Sequence, residues 1–210
     1  NTAEMWGQGQ AASDSACVRL NNYFCIKTPY KEFWVGQVGR DSREHAHFEH
    51  PVFSTRAFAR IMRSYHFKHG LQTPIDIIAR YAPSHDCADG GSYCPNKVSR
   101  YANSVANALG IEPHEPTRLF RSDGTIDLAI AIPMFRIFSK VEIGGKFVLP
   151  EALIREGITL EQEAYIAEHD SLLLGPMAAR HIPLKRSGPI ANAGQIMSDI
   201  ANSLGEVVDF

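Results

Sequence analysis

Glu142 is the residue of this sequence whose position best suits acid catalysis. It follows a run of mostly apolar residues, Ile126 to Val141, that predicts a buried helix, and two glycines follow after Ile143. Cleaving a glycosidic bond needs a carboxylic acid that is still protonated near neutral pH, whereas a free glutamate has a pKa of about 4.3. Apolar burial and the negative end of a helix dipole both raise the pKa of a carboxyl group. Glu142 is therefore a candidate general acid; the alternative is a solvent-facing glutamate at a helix end.

The four cysteines fall in two close pairs. Cys17 and Cys25 flank an asparagine pair, and Cys87 and Cys94 bracket a short insert. This pattern favours two local disulfides, although four cysteines allow other connectivities. Disulfides would place the protein in the periplasm or outside a cell. Free buried thiols and a four-thiolate zinc site are alternatives, and neither pair has the spacing that is usual for zinc.

The composition predicts a folded globular chain. Of 210 residues, 44% are hydrophobic and 21% charged, and the net charge is -2. This composition supports a substantial core, and the small net charge gives no general attraction to nucleic acid or anionic lipid. No apolar run reaches the roughly 20 residues that a membrane-spanning helix needs. We therefore expect neither nucleic acid as a partner nor a membrane span.

Apolar residues at helical spacing, with capping and stop signals, predict a mostly helical protein. The non-helical parts are a loose arm over 1–15, an irregular region over 19–53 with short strands near Phe33 to Val38, and a loop over 172–188. The predicted helices cover 54–69 with Ser54 as N-cap, 73–82, 96–109 and 126–141, then two short helices within 149–169, the second with Thr159 as N-cap, and a last helix over 189–204.

Between Arg19 and Ala57 the chain carries three motifs in order: R-L-N-N-Y-F-C-I-K, W-V-G-Q-V-G-R-D and F-E-H-P-V-F-S-T-R-A. A G-L-Q-T segment starting at Gly70 and an I-I-A-R-Y-A-P segment ending at Pro83 follow. Over roughly residues 19 to 145, this order resembles a lysozyme-like family of peptidoglycan hydrolases among phage virion proteins and bacterial antibacterial effectors.

The resemblance implies a mainly α-helical fold. We place the lysozyme-like domain over 16–148, with an irregular N-terminal segment. Outside it, composition and helical spacing predict a loose arm over 1–15 and a C-terminal helical extension over 149–210 that packs on this domain.

The activity that the resemblance implies is cleavage of the β-1,4 bond between N-acetylmuramic acid and N-acetylglucosamine, as a muramidase or a lytic transglycosylase. Flagellar-type glucosaminidases and lytic transglycosylases place a catalytic glutamate at the end of a buried helix, which corresponds here to Glu142. Their asparagine motif follows that helix, whereas here it precedes it; a circular permutation would explain the order. Asp86 holds the position of a family glutamate and would act as the second carboxylate, although its S-H-D-C-A-D-G-G surroundings are also typical of a turn.

Five further residues are candidates for substrate binding, and we expect no cofactor. The side-chain amides of Asn21 and Asn22 suit N-acetyl groups and sugar hydroxyls. Trp34, Tyr81 and Tyr101 have rings that can stack on sugars. The alternatives are turn or cap roles for the asparagines and core packing for the aromatic residues.

Two other functions are compatible with the sequence. His45, His47 and His50 lie close together with acidic neighbours, a composition that suits zinc and would make the chain a zinc-dependent peptidoglycan amidase or peptidase. A non-catalytic wall-binding or virion module is the other alternative, favoured because Tyr23-Phe24 replaces a proline-glycine step of the family and would reshape the groove wall. The expected partner is the peptidoglycan glycan strand, with either a phage or secretion particle or an inhibitor or immunity protein as a further candidate.

Overall fold

The computed structural model describes residues 15–85, 97–145 and 147–178. The chain divides into two compact units, residues 1–168 and 169–210. The predicted mainly α-helical class is confirmed, since the described part has six helices and a single two-stranded sheet. In chain order the elements are α1 (Ala16–Arg19), β1 (Gln37–Arg40), β2 (Ala46–Phe48), α2 (Pro51–His69), α3 (Pro74–Tyr81), α4 (Lys97–Leu109), α5 (Leu128–Glu142) and α6 (Glu151–Ala178).

None of the described helices is long and apolar enough to cross a membrane. The predicted helix over 189–204 and most of the predicted N-terminal arm lie outside the described residues.

The irregular N-terminal region is held by a buried asparagine rather than by a long sheet. Strands β1 and β2 are antiparallel, with Gln37 opposite Phe48. Asn22 has no exposed surface, and its side-chain Nδ2 donates to the carbonyl oxygens of Ile26 and Ala46, each at 2.8 Å. Its Oδ1 accepts from the Ile26 N–H at 2.9 Å. One side chain thus joins the turn after α1 to β2.

Helix α2 begins three residues before the predicted start, and its end is as predicted. Ser54 is not the N-cap: it lies buried inside the helix, and its hydroxyl donates to the Pro51 carbonyl at 2.8 Å. The cap is His50, whose Nδ1 accepts from the Val52 N–H at 3.2 Å, and Pro51 suits the first helical position because its missing N–H has no helical partner there. The helix ends at Gly70, whose φ of 66° is readily adopted by glycine.

An aromatic cluster around Phe58 of α2 joins the N-terminal loop to α5. The Phe58 ring stacks on Phe24, with centroids 4.3 Å apart, and meets Phe135 and Phe138 at 4.7 and 4.8 Å. Tyr23 and Phe24 are both fully buried. The expectation that these two aromatic residues reshape a groove wall is therefore wrong, because they belong to the core.

Helix α6 is continuous where the sequence predicted two short helices followed by a loop from residue 172. Thr159, the expected N-cap, lies inside the helix, which extends to Ala178. Gly157 lies within this helix, and a Cβ on it would lie 2.5 Å from the Thr55 Cβ and 2.8 Å from the Val52 carbonyl oxygen. The absence of a side chain at this glycine lets α6 pack closely against α2.

Candidate active site

A groove with a volume of about 1380 Å³ lies on the described surface. Its lining comes from α1 and the turn after it, from α2, from the end of α3, from α4 and from the last turn of α5. Segments far apart in the sequence therefore meet at one place. Glu142 is the one carboxylate among the described residues that line it.

Glu142 is the last residue of α5, and it is half-buried. Its Oε1 accepts a hydrogen bond from the Tyr101 hydroxyl at 3.0 Å. The same hydroxyl lies 3.3 Å from the carbonyl oxygen of Phe138, one turn earlier in α5. The carboxyl group is thus positioned by a neutral donor from α4 at the lining of the groove.

Tyr81 and Tyr101 both line the groove, as the sequence analysis expected, but their hydroxyls bond to protein groups. Burial, and then the negative charge of Glu142, raise the pKa of both hydroxyls well above the usual range. Both therefore remain protonated donors across the working pH range of most enzymes. Tyr81 donates to the carbonyl oxygen of Phe24, and the Tyr101 ring, 4% exposed, packs on Phe138 at 5.2 Å. These contacts favour positioning roles over stacking on a sugar.

The predicted disulfide between Cys17 and Cys25 is confirmed. Both cysteines line the groove, and the Cys25 sulfur lies 3.5 Å from the carbonyl oxygen of Glu142. The bridge therefore joins the turn after α1 to the end of α5 by direct contact. The other predicted pair, Cys87 and Cys94, and the candidate second carboxylate, Asp86, lie outside the described residues.

Of the five residues predicted to bind substrate, Asn21, Asn22 and Trp34 do not line the groove. Their side chains bond to backbone groups of the protein instead. Asn22 is a structural residue, because its amide is buried and bonded to backbone as described above. Asn21, at φ 53°, donates to the Phe48 carbonyl at 2.9 Å, and the half-buried Trp34 donates from Nε1 to the Lys27 carbonyl at 3.0 Å. All three shape the N-terminal region that supplies part of the groove.

The three clustered histidines do not form the alternative zinc site. His45 Nδ1 lies 3.0 Å from an Asp41 carboxylate oxygen, His50 caps α2, and His47 lies on β2. Across residues 15–85, 97–145 and 147–178, no three His, Cys, Asp or Glu side chains converge as metal ligands would. His45 alone among the three lines the groove in this part of the chain.

The fold brings to the groove a set of cationic residues that no sequence motif indicates. Lys27 and Arg43 come from the N-terminal region, and Lys97 and Arg100 from α4. Their separation along the chain hides the cluster, and the net charge of -2 gives no indication of it. The adjacency of Arg100 to Tyr101 is the one local signal, and by itself it is uninformative.

Comparison with known proteins gives a partial relative. No family model matches the chain. The chain is 42% identical over 64 residues to Protein P5 of Pseudoalteromonas phage PM2. The match covers 30% of this chain and 34% of Protein P5, so the chain spans about a third of that relative. This similarity links part of the chain to a phage protein.

Proposed function

We propose that this protein cleaves the glycan strands of peptidoglycan at the β-1,4 bond between N-acetylmuramic acid and N-acetylglucosamine, with Glu142 as the general acid. The observation that supports this most directly is the Glu142 carboxyl group at the end of α5, on the groove and 3.0 Å from the Tyr101 hydroxyl. The groove volume of about 1380 Å³ exceeds the roughly 300–1000 Å³ of most small-molecule pockets, which suits a polymer.

In the proposed reaction, Glu142 donates its proton to the glycosidic oxygen as the bond to the sugar C1 breaks. The charge that develops on C1 is then quenched by water, which gives hydrolysis, or by a hydroxyl of the substrate itself, which gives an anhydro-sugar. In either route the attacking oxygen loses its proton, and the Glu142 carboxylate formed in the first step can accept it. The first route benefits from a second carboxylate, for which Asp86 stays a prediction. The second route needs the single glutamate.

Tyr101 has a defined part in this proposal. As Glu142 gives up its proton it becomes a carboxylate, and a hydrogen bond to a charged acceptor is stronger than one to a neutral acceptor. The Tyr101 hydroxyl, kept protonated by its raised pKa, therefore stabilises the state that follows proton transfer. Its contact also fixes the position of the carboxyl group before the reaction.

An extracytoplasmic location belongs to the same proposal. The Cys17–Cys25 disulfide persists in oxidising compartments such as the periplasm and the cell exterior, where peptidoglycan is accessible. Two settings fit this activity: a component of a phage particle, or an antibacterial toxin delivered by a secretion system and controlled by an inhibitor or immunity protein.

A second candidate is a non-catalytic component of a phage particle that binds the cell wall. The similarity to Protein P5 of a phage favours it. It predicts binding to peptidoglycan without release of products.

Digestion of purified peptidoglycan, with mass analysis of the soluble products, tests the proposal. We expect the wild type to release glycan fragments, and Glu142→Gln to release almost none. Glu156→Gln, which removes an exposed carboxylate on α6, is the matched control and should behave as the wild type.

The products distinguish the possible reactions. Reducing-end muropeptides indicate hydrolysis, and anhydro-muropeptides indicate transglycosylation. Freed stem peptides would instead identify an amidase, and full activity in Glu142→Gln would contradict the assignment of the acid. Binding of the wild type without any release would support the non-catalytic candidate.

A further inference from the structure

The groove is a cationic surface on a chain with a net charge of -2. Lys27, Arg43, Lys97 and Arg100 line it, and Glu142 is the one carboxylate among the described lining residues. A ligand that enters this groove therefore meets positive charge, with a single negative group at the end of α5.

Three of these cations differ from half of the described arginines, because no carboxylate of the described residues lies beside them. Lys27, Arg43 and Arg100 are exposed, and in the described part of the chain their head groups make no salt bridge. Several arginines elsewhere lie within 4.0 Å of a carboxylate oxygen: Arg40, Arg60, Arg63, Arg121, Arg136 and Arg155. The groove thus keeps cations whose charge is available to a ligand.

We infer that the groove binds its glycan strand through carboxylate groups that the strand carries, with Lys27, Arg43 and Arg100 as specificity residues. This inference rests on the proposed function and adds a substrate class: acidic β-1,4 glycans are bound in preference to neutral ones with the same backbone. Peptidoglycan offers two sources of carboxylate, the lactyl group of the muramic acid and the stem peptide.

The same cations would attract the phosphates of a nucleic acid, but other features of the groove favour a glycan. Single-stranded nucleic acids are bound by exposed aromatic rings on which bases stack, whereas Tyr101 is buried and the Tyr81 hydroxyl is held by the Phe24 carbonyl. The rings of these two groove tyrosines therefore offer little stacking surface for bases, which favours a glycan as the ligand.

Binding affinities of the full chain carrying Glu142→Gln, which blocks turnover, test the inference. The probes are glycan fragments with stem peptides, the same fragments stripped to free lactyl carboxylates, and neutral chito-oligosaccharides of equal length. We expect at least one acidic probe to bind at least about tenfold more tightly than the neutral probe at low salt. This preference should shrink as salt rises, since exposed charges are screened over about 8 Å at physiological ionic strength.

Two variants that each remove three positive charges show which cations produce the preference for acidic glycans. Adding Lys27→Gln, Arg43→Gln and Arg100→Gln together should abolish the preference, because each exposed cation contributes about two- to fivefold. The control removes three exposed cations outside the groove lining: Lys31→Gln, Lys68→Gln and Arg118→Gln. It should keep the preference.

The two acidic probes separate the sources of the carboxylate: tighter binding of the stripped fragment assigns the lactyl group, and tighter binding of the intact fragment assigns the stem. Equal affinity for acidic and neutral probes at all salt concentrations overturns the inference, even if the wild type cleaves peptidoglycan. A single-stranded DNA oligonucleotide that binds more tightly than every glycan overturns it as well. Preference for acidic glycans in a wild type that releases no products would instead overturn the proposed cleavage and leave the inference standing.

Discussion

Charged side chains are compensated in different ways in two regions of this molecule, the α2–α6 contact and the groove. Between α2 and α6, the side chains of Arg63 and Glu161 are 6% and 4% exposed and lie 3.6 Å apart. Arg60 adds a second guanidinium 3.2 Å from Glu161. At the groove, the cations are exposed, and Glu142 is held by the hydroxyl of Tyr101.

The charges between α2 and α6 stabilise the fold, whereas the cations of the groove remain available to a ligand. Arg63 is enclosed further by the Tyr165 ring, 3.7 Å from its guanidinium carbon, and donates to the Gly124 carbonyl at 2.8 Å. Burial raises the pKa of Glu161 and lowers that of Arg63, and each partner partly opposes the effect on the other. Removing one member of such a buried pair leaves the other without its counter-charge, whereas removing an exposed groove cation leaves no buried charge behind.

The largest expected effect is on stability at the α2–α6 pair. We expect Arg63→Met to lower the free energy of unfolding by about 3 kcal/mol, because Glu161 remains buried with only Arg60 beside it. Urea denaturation of the full chain, followed by circular dichroism, measures this. Arg100→Met, an exposed groove cation, should change stability by less than about 0.5 kcal/mol. Equal effects of the two substitutions would remove the distinction between the regions.

The next effect is on activity at the groove. Glu142→Gln should slow the release of glycan fragments about a hundredfold or more, the usual contribution of a positioned general acid. Glu161→Gln should leave the rate per folded molecule unchanged, since this glutamate is buried between α2 and α6. Rates are compared at protein concentrations corrected for the folded fraction. A slow Glu161→Gln together with an active Glu142→Gln would reverse the assignment of the two glutamates.

A smaller effect is expected from the hydroxyl that positions the acid. Tyr101→Phe should lower kcat about tenfold with little change in KM, since a hydrogen bond to a charged group contributes about 1.5–3 kcal/mol, part of which water replaces at the groove. Tyr81→Phe is the matched control, because its hydroxyl bonds to the Phe24 carbonyl rather than to Glu142. It should reduce stability by about 1 kcal/mol and leave kcat unchanged. Equal losses of kcat in both variants would contradict a specific role for Tyr101.

The smallest effect is a pH dependence of stability. The raised pKa of Glu161 means that the folded state binds this proton more tightly than the unfolded chain does. Its stabilising contribution is therefore complete below the unfolded pKa of about 4.3 and is lost as the pH rises through the folded pKa. Relative to the wild type, Glu161→Gln should become more favourable as pH increases over this window, as urea titrations at several pH values would show. If Glu161→Gln instead became less favourable as the pH increases, Arg60 and Arg63 would lower the pKa of Glu161 by more than burial raises it.

The helices whose signals are local could be predicted from the sequence. Thr73 caps α3 with Pro74 after it, and the left-handed Gly70 and Gly110 follow α2 and α4. The predicted ranges 54–69, 73–82 and 96–109 therefore end within one residue of the observed helices. The predicted Ser54 cap was wrong because the serine hydroxyl also satisfies a backbone carbonyl inside a helix, and the sequence does not indicate which partner it takes. The close contact of Gly157 in α6 with Thr55 in α2 depends on tertiary packing, which the local sequence does not indicate.

Some features of the candidate site could likewise be predicted from the sequence, and others could not. The position of Glu142 at the end of an apolar helix, the closeness of Cys17 to Cys25 and the candidacy of Tyr101 follow from residue types and short spacings. The burial of Asn22 and Phe24 could not be predicted, because a polar or aromatic residue in a loop is equally at home in a groove wall or in the core. Their environment depends on contacts with residues far along the chain, such as Ala46 and Phe58.

The sequence by itself determined the helical class, most helix ends, one disulfide and the candidate acid, because these depend on interactions among residues close in the chain. Only the tertiary structure decided that Tyr101 lies 3.0 Å from Glu142 and that Lys27, Arg43 and Arg100 share one groove. Such meetings depend on the packing of the apolar core, to which residues scattered along the chain contribute. The sequence therefore specifies which charged residues are present, and the packing of the helices decides which of them lie together at the groove.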